Sequence, residues 1–213
     1  MKNLHLITTS KTVIRNHVSI IIFVLSLFIV GVIFGAVIVN SLGLDHKQAL
    51  FGYLSKFFDD FKSSGTTPTN GLLLSTFFEN IKIVLLIWIL GISVIGVPLT
   101  LILLFSKGVV IGFTVGFLVN QSGFKGFLLA CASVLPQNLI FIPFIILLTS
   151  LSIIFSIKLI KRQFLKDQFE HLKSLFLVYL SVLVLGVLIL LVTSLIEIYV
   201  SPVLMKWIID HIQ

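Results

Sequence analysis

The sequence predicts an all-α fold, a polytopic membrane helix bundle of about five transmembrane helices with kinked or broken middle spans. Three observations carry this. Hydrophobic residues make up 58% of the 213 and charged residues 11%, with a mean hydropathy of +1.19, whereas soluble domains are roughly 25% charged. The stretch from Ile83 to Ile157 holds two charges, Lys107 and Lys125, with no acid and no histidine. At about 1.5 Å of helix rise per residue it suffices for about three crossings of a hydrocarbon core ~30 Å thick. Finally, one apolar run lies on each side of it, at 18–39 and 175–199, each long enough for one crossing.

The first run follows Lys2, Lys11 and Arg15, as in a secretory signal. It exceeds the 7–15 residues or so of a signal core, and Asn40-Ser41-Leu42 offers no small-x-small cleavage site. It reads as an uncleaved first span. The expected spans are then about 18–39, 83–105, 108–122, 126–157 and 175–199, in a single membrane domain covering 1–213. Lys107 would sit in a tight turn between the second and third spans. The alternative is a break at Gly96-Val97-Pro98, because proline removes a backbone donor. Pro136 and Pro143 lie within the fourth span and predict a kink or break there.

Orientation follows from Lys and Arg placement. With the N-terminus inside, nine of the 15 basic residues fall in cytoplasmic segments, five of them between Lys158 and Lys173. This favours the N-terminus in and the C-terminus out. The net charge of +7 is accounted for by these span ends, so no nucleic-acid partner is expected.

The loop at 40–82 is the one sizeable extracytoplasmic segment. Its 45–62 part is amphipathic: Leu50, Tyr53, Leu54, Phe57, Phe58 and Phe61 recur at helical spacing, and Asp45 suits an N-cap. Such a helix either lies on the membrane surface or docks an extracytoplasmic partner. The tail after Pro202 is a second amphipathic piece, with Val203, Leu204, Trp207, Ile208 and Ile212 on one face; Trp207 suits an interfacial anchor.

Gly108, Gly112 and Gly116 form two small-xxx-small steps, a pattern for close helix packing in lipid. The buried polar and kink residues are Pro98, Pro136, Gln137, Asn138, Pro143 and Glu197. Two amides deep in an apolar segment need partners, and backbone freed by the proline is the first candidate. Glu197 is the one acid in a span, near its outer end, either interfacial or facing the bundle.

The inventory speaks against catalysis. The five histidines lie outside the central spans, and none forms His-Glu-x-x-His. Gly91-Ile-Ser-Val-Ile-Gly96 is one residue too long for a nucleophile elbow. Cys131 is the single cysteine, so neither an intrachain disulfide nor a cysteine metal site can form. No enzyme, cofactor or metal is expected.

Gly31-Val-Ile-Phe-Gly-Ala-Val-Ile-Val-Asn40, Trp88-Ile-Leu-Gly-Ile-Ser-Val-Ile-Gly96 and the run from Lys107 to Gln121 resemble the stage II sporulation protein M family of endospore-forming Firmicutes. So do Leu135-Pro-Gln-Asn-Leu139 and the ending Glu197-Ile-Tyr-Val-Ser-Pro-Val-Leu-Met-Lys206. The resemblance implies a membrane protein of engulfment, sited in the mother-cell septal membrane. It implies a scaffold for two peptidoglycan-cleaving partners, stage II sporulation proteins D and P. Wider relatives often carry Pro-His-Gly-x-x-Glu-Leu-Pro where this chain has Pro136-Gln-Asn-Leu-Ile-Phe-Ile-Pro143. Any polar chemistry of that motif therefore does not transfer, although the Glu197…Pro202 ending matches and points Glu197 toward Gln137 and Asn138. The expected function is a non-enzymatic scaffold in the cell membrane, with lipid and proteins D and P as partners and self-association open. The alternative is a small transporter or channel-like protein using the Pro136-Gln137-Asn138 kink.

Overall fold

The computed structural model describes residues 17–43, 45–53, 56, 70–93, 95–165 and 172–212. Its regular structure is helical, with no strand among the described residues. Helix α1 spans Val18–Ser41, α2 Asn70–Gly91, α3 Gly96–Leu165, α4 Leu172–Leu195 and α5 Ser201–Ile212. A single π turn, Ile196–Val200, joins α4 to α5. Residues 45–53 form a further short helical stretch. Among the described residues three helical stretches, Val18–Ser41, Gly96–Ile160 and Phe176–Ile208, are long and apolar enough to cross a membrane.

Helix α3 is two antiparallel arms. Gly123 has φ 57 and ψ −130, a backbone region essentially reserved for glycine. A Cβ placed on Gly126 would collide with the Leu118 carbonyl. In an unbroken helix residues eight apart lie about 12 Å apart along the axis, so the chain has reversed at Gly123. The first arm is 96–122 and the second 124–165.

The break before α3 is not at Lys107 but falls beside the alternative, Gly96-Val97-Pro98. Lys107 is not in a turn; it lies inside the uninterrupted first arm, and the chain turns at 92–95 instead. Pro98 falls in the first turn of α3, where its missing N–H is one of the donors a helix leaves unpaired anyway. The spans drawn as 83–105 and 108–122 are therefore one helix ending at 91 and another running from 96. Glycines at the two edges of the turn explain its place. A Cβ on Gly96 would strike the Leu90 carbonyl, and one on Gly91 would strike Ser152 and Tyr179.

Pro136 and Pro143 lie within the second arm, and Gly123 is the one non-helical position inside α3. The prolines thus do not break the helix. Nor does the chain break at Pro202. The Ser201 N–H bonds back five residues to the Ile196 carbonyl, and this wider π register leads into the proline, which lacks a donor of its own. The helix continues to Ile212.

One core unites the elements. Val24 and Phe28 of α1, Val84 and Ile87 of α2, Leu104 of the first arm, Phe144, Ile145 and Leu148 of the second, and Tyr179 and Leu190 of α4 form a single buried cluster.

Candidate functional site

The apolar core is pierced by three distinct arrangements. The first is a glycine seam. Helix α1 buries Val24, Phe28, Gly31, Gly35 and Val39 along one face, and its main partner is the first arm of α3. Gly108 packs against Phe28 and Val32, Gly112 against the Val32 carbonyl and Gly116 against Ala36. From the other side, Gly31 faces the backbone of Phe105 and Gly35 that of Val109. Each glycine costs its helix about 1 kcal/mol relative to alanine. What offsets this is backbone-to-backbone approach, which maximises dispersion contacts where lipid gives no hydrophobic drive. The Asn120 amide donates to Asn40 Oδ1 at 3.2 Å, tying the far ends of the two helices.

The second arrangement closes the end of α2. The last carbonyls of a helix have no partner within it. Here three of the last four find one: the Tyr179 hydroxyl donates to the Trp88 carbonyl at 2.8 Å, and Ile92 and Ser93 N–H groups reach the carbonyls of Ile89 and Leu90. One residue earlier, the Ser152 hydroxyl donates to the Ile87 carbonyl at 3.3 Å. In the turn itself, Ser156 donates to the Ser93 carbonyl at 3.1 Å. The Trp88 indole donates in return to the Tyr179 carbonyl. Phe155 stacks on the Tyr179 ring with centroids 5.1 Å apart.

The third is a polar node. Lys107 Nζ donates to Asn80 Oδ1 at 3.5 Å and stands 5.3 Å from the centroid of the Phe141 ring. Its charge is felt by the carboxylates of Glu197 and Glu79. The Gln137 amide lies close enough to the Glu197 carboxylate to stabilise its charge, and Glu197 Oε2 is buried without a protein partner. The hydroxyls of Ser194 and Ser201, one turn to either side of Glu197, are also buried without partners. Asn80, Lys107, Gln137 and Glu197, from α2, both arms of α3 and the π turn, thus converge, with the exposed Glu79 at the edge. A cation over an aromatic face gains about 0.5–2 kcal/mol, and Phe141 takes that place here.

Sequence reasoning placed Lys107 at a turn and so missed this convergence. A signal was present: Lys107 has at least ten mostly apolar residues on each side, between Gly96 and Asn120. Gln137 and Glu197 do meet. Asn138 does not join them; it is buried, and its amide donates to the Val134 carbonyl of its own helix at 2.8 Å. That carbonyl is not one freed by a proline, because Pro136 and Pro143 free those of Ala132 and Leu139, four residues earlier.

Of the amphipathic docking residues, Leu50 is half-buried and Tyr53 exposed. Leu54, Phe57, Phe58 and Phe61 lie outside the described residues. In α5, Val203, Leu204 and Trp207 are exposed and Met205 is buried. Among the described residues no three His, Cys, Asp or Glu side chains gather as a metal site.

A helical bundle with long apolar helices, a glycine seam and a buried polar node defines an α-helical membrane protein. The sequence profile of the family Stage II sporulation protein M matches residues 24–202, from the first turns of α1 to Pro202. The chain belongs to the stage II sporulation protein M family. No curated protein matches it significantly, and no solved structure does.

Proposed function

We propose that this chain is a non-enzymatic scaffold of engulfment, holding the peptidoglycan-cleaving stage II sporulation proteins D and P at the septal membrane of the mother cell. The family match over 24–202 supports this reading most directly. Several polar side chains of the bundle are consistent with it, since Tyr179, Trp88, Ser152 and Ser156 are spent on backbone carbonyls.

In this reading the chain crosses the membrane five times, through α1, α2, the two arms of α3 and α4. The N-terminus is cytoplasmic and the C-terminus extracytoplasmic. With Lys82 and Lys107 both inside membrane-crossing helices, eight of the 15 basic residues lie inside and five outside, so the charge bias keeps its sign. Residues 40–69 and the Gly123 turn then face outward, toward the wall.

Photo-cross-linking from the 45–62 segment in sporulating cells tests the scaffold. Capture of a wall hydrolase supports it; a correctly inserted chain that captures none overturns it. The node sustains a second reading, because Lys107 and Glu197 are the kind of intramembrane charges that transporters use. Solute or ion flux in proteoliposomes, abolished by Glu197→Gln, would favour that reading instead.

A further inference from the structure

Helix α2 presents one continuous exposed stripe: Phe78, Glu79, Lys82, Leu85, Leu86 and Ile89. These positions follow i, i+1, i+4, i+7, i+8 and i+11, one face of a helix. The opposite face carries the buried Val84, Ile87 and Gly91. The stripe is apolar except for one acid and one base. By helix rise from Gly91, Lys82 lies about 13 Å and Glu79 about 18 Å from the turn that ends α2. In the five-crossing reading, on which this inference rests, both depths are within a hydrocarbon core ~30 Å thick.

Two exposed charges at that depth demand cover. Ionisable groups in membrane helices almost always face protein or water, because hydrocarbon solvates neither sign. Pairing between Glu79 and Lys82 of one chain would leave the pair itself turned to lipid. The stripe is, however, complementary to itself. A two-fold axis along the membrane normal sets the same face of a second copy opposite, and in such an isologous contact residue i meets j while j meets i. We propose that the exposed face of α2 is the seam of a homodimer, in which Glu79 of each copy meets Lys82 of the other. Phe78, Leu85, Leu86 and Ile89 pack around the two ion pairs.

Glu79 also links the seam to the node, since its carboxylate acts on Lys107.

The test uses the full chain in native membranes with Cys131→Ser, which removes the single cysteine. Cysteine at Ile89 or Leu85 should form a cross-linked dimer on oxidation. Cysteine at Phe23, exposed on α1, should form at least tenfold less. Lys82→Glu should lower the Ile89 cross-link several-fold. The double exchange Glu79→Lys with Lys82→Glu should restore it among like copies but not with wild-type copies. Cross-linking at Ile89 no greater than at Phe23 overturns the proposal. So does a cross-link that joins the chain only to a different protein, or a charge exchange without rescue. Capture of wall hydrolases is scored in the same cells. A monomer that still captures them sinks the dimer alone, and a dimer that captures none sinks the scaffold alone.

Discussion

Trp88 and Tyr179 exchange hydrogen bonds across 91 residues of chain: the indole donates to the tyrosine carbonyl at 3.3 Å, and the hydroxyl donates to the tryptophan carbonyl at 2.8 Å. Their rings stack with centroids 5.5 Å apart and planes 13° from parallel. The pair fixes the end of α2 against α4, where the chain turns into α3.

Tyr179→Phe keeps the stacked ring and removes the donor. The Trp88 carbonyl is then left unpaired, which costs about 1–3 kcal/mol for a buried group. The thermal midpoint in detergent should fall. Amide exchange should quicken at residues 88–96 more than in α1, and uniform exchange would show that the hydroxyl is not a local clasp.

Gly112→Leu should be far more damaging than its chemistry implies. The added side chain meets the Val32 carbonyl, so α1 must move away from α3, and overpacking costs about 1–3 kcal/mol or more. Val110→Leu, on the exposed side of the same arm, should be near neutral. Equal melting behaviour for the two variants would refute the seam.

Lys107→Met and Glu197→Gln each strand a charge in the node. The two charges act on each other without a direct ion pair, so each variant should lower the thermal midpoint. The double variant should lose less than the sum, by about 1–3 kcal/mol. Phe141→Glu sets an acid beside Lys107 and should rescue part of the Glu197→Gln loss. Strict additivity in a thermal-unfolding cycle would mean that the two charges ignore each other.

Gly123→Ala should weaken the hairpin by about 1–3 kcal/mol, because a Cβ is strained at that backbone geometry. No neighbour blocks the added methyl, so the effect is conformational. Limited proteolysis at 120–127 should accelerate while the rest of the chain stays protected.

The helical class, the terminal spans and the reversal near residue 123 were legible because they rest on hydrophobic runs and on the polar residues Asn120, Gln121, Ser122 and Lys125 that interrupt them. The glycine spacing of the first arm announces a seam, since such steps serve close approach whatever the fold. The position of the earlier turn was legible only as the alternative, the break at Gly96-Val97-Pro98, beside which it falls. A lone lysine in an apolar run looks the same whether it marks a loop or serves a buried acid, and Glu79 and Glu197 are distant in the chain. Trp88 and Tyr179 are likewise ordinary interfacial residues until the fold brings their backbones together. Asn138 shows the opposite error: a buried amide next to a ligand-like glutamine turned inward to its own helix.

The glycine seam has a consequence for biosynthesis. Helix α1 packs chiefly against the first arm of α3 rather than its neighbour α2, and Gly116 is translated 80 residues after Ala36, which it faces. At about 5–20 residues per second, α1 waits about 4–16 s in the bilayer with its narrowest face against lipid tails alone. The first helix to enter the membrane is therefore not finished when it enters. Its assembly must wait for the ribosome, and a truncated chain ending before residue 96 would leave α1 an orphan for membrane quality control.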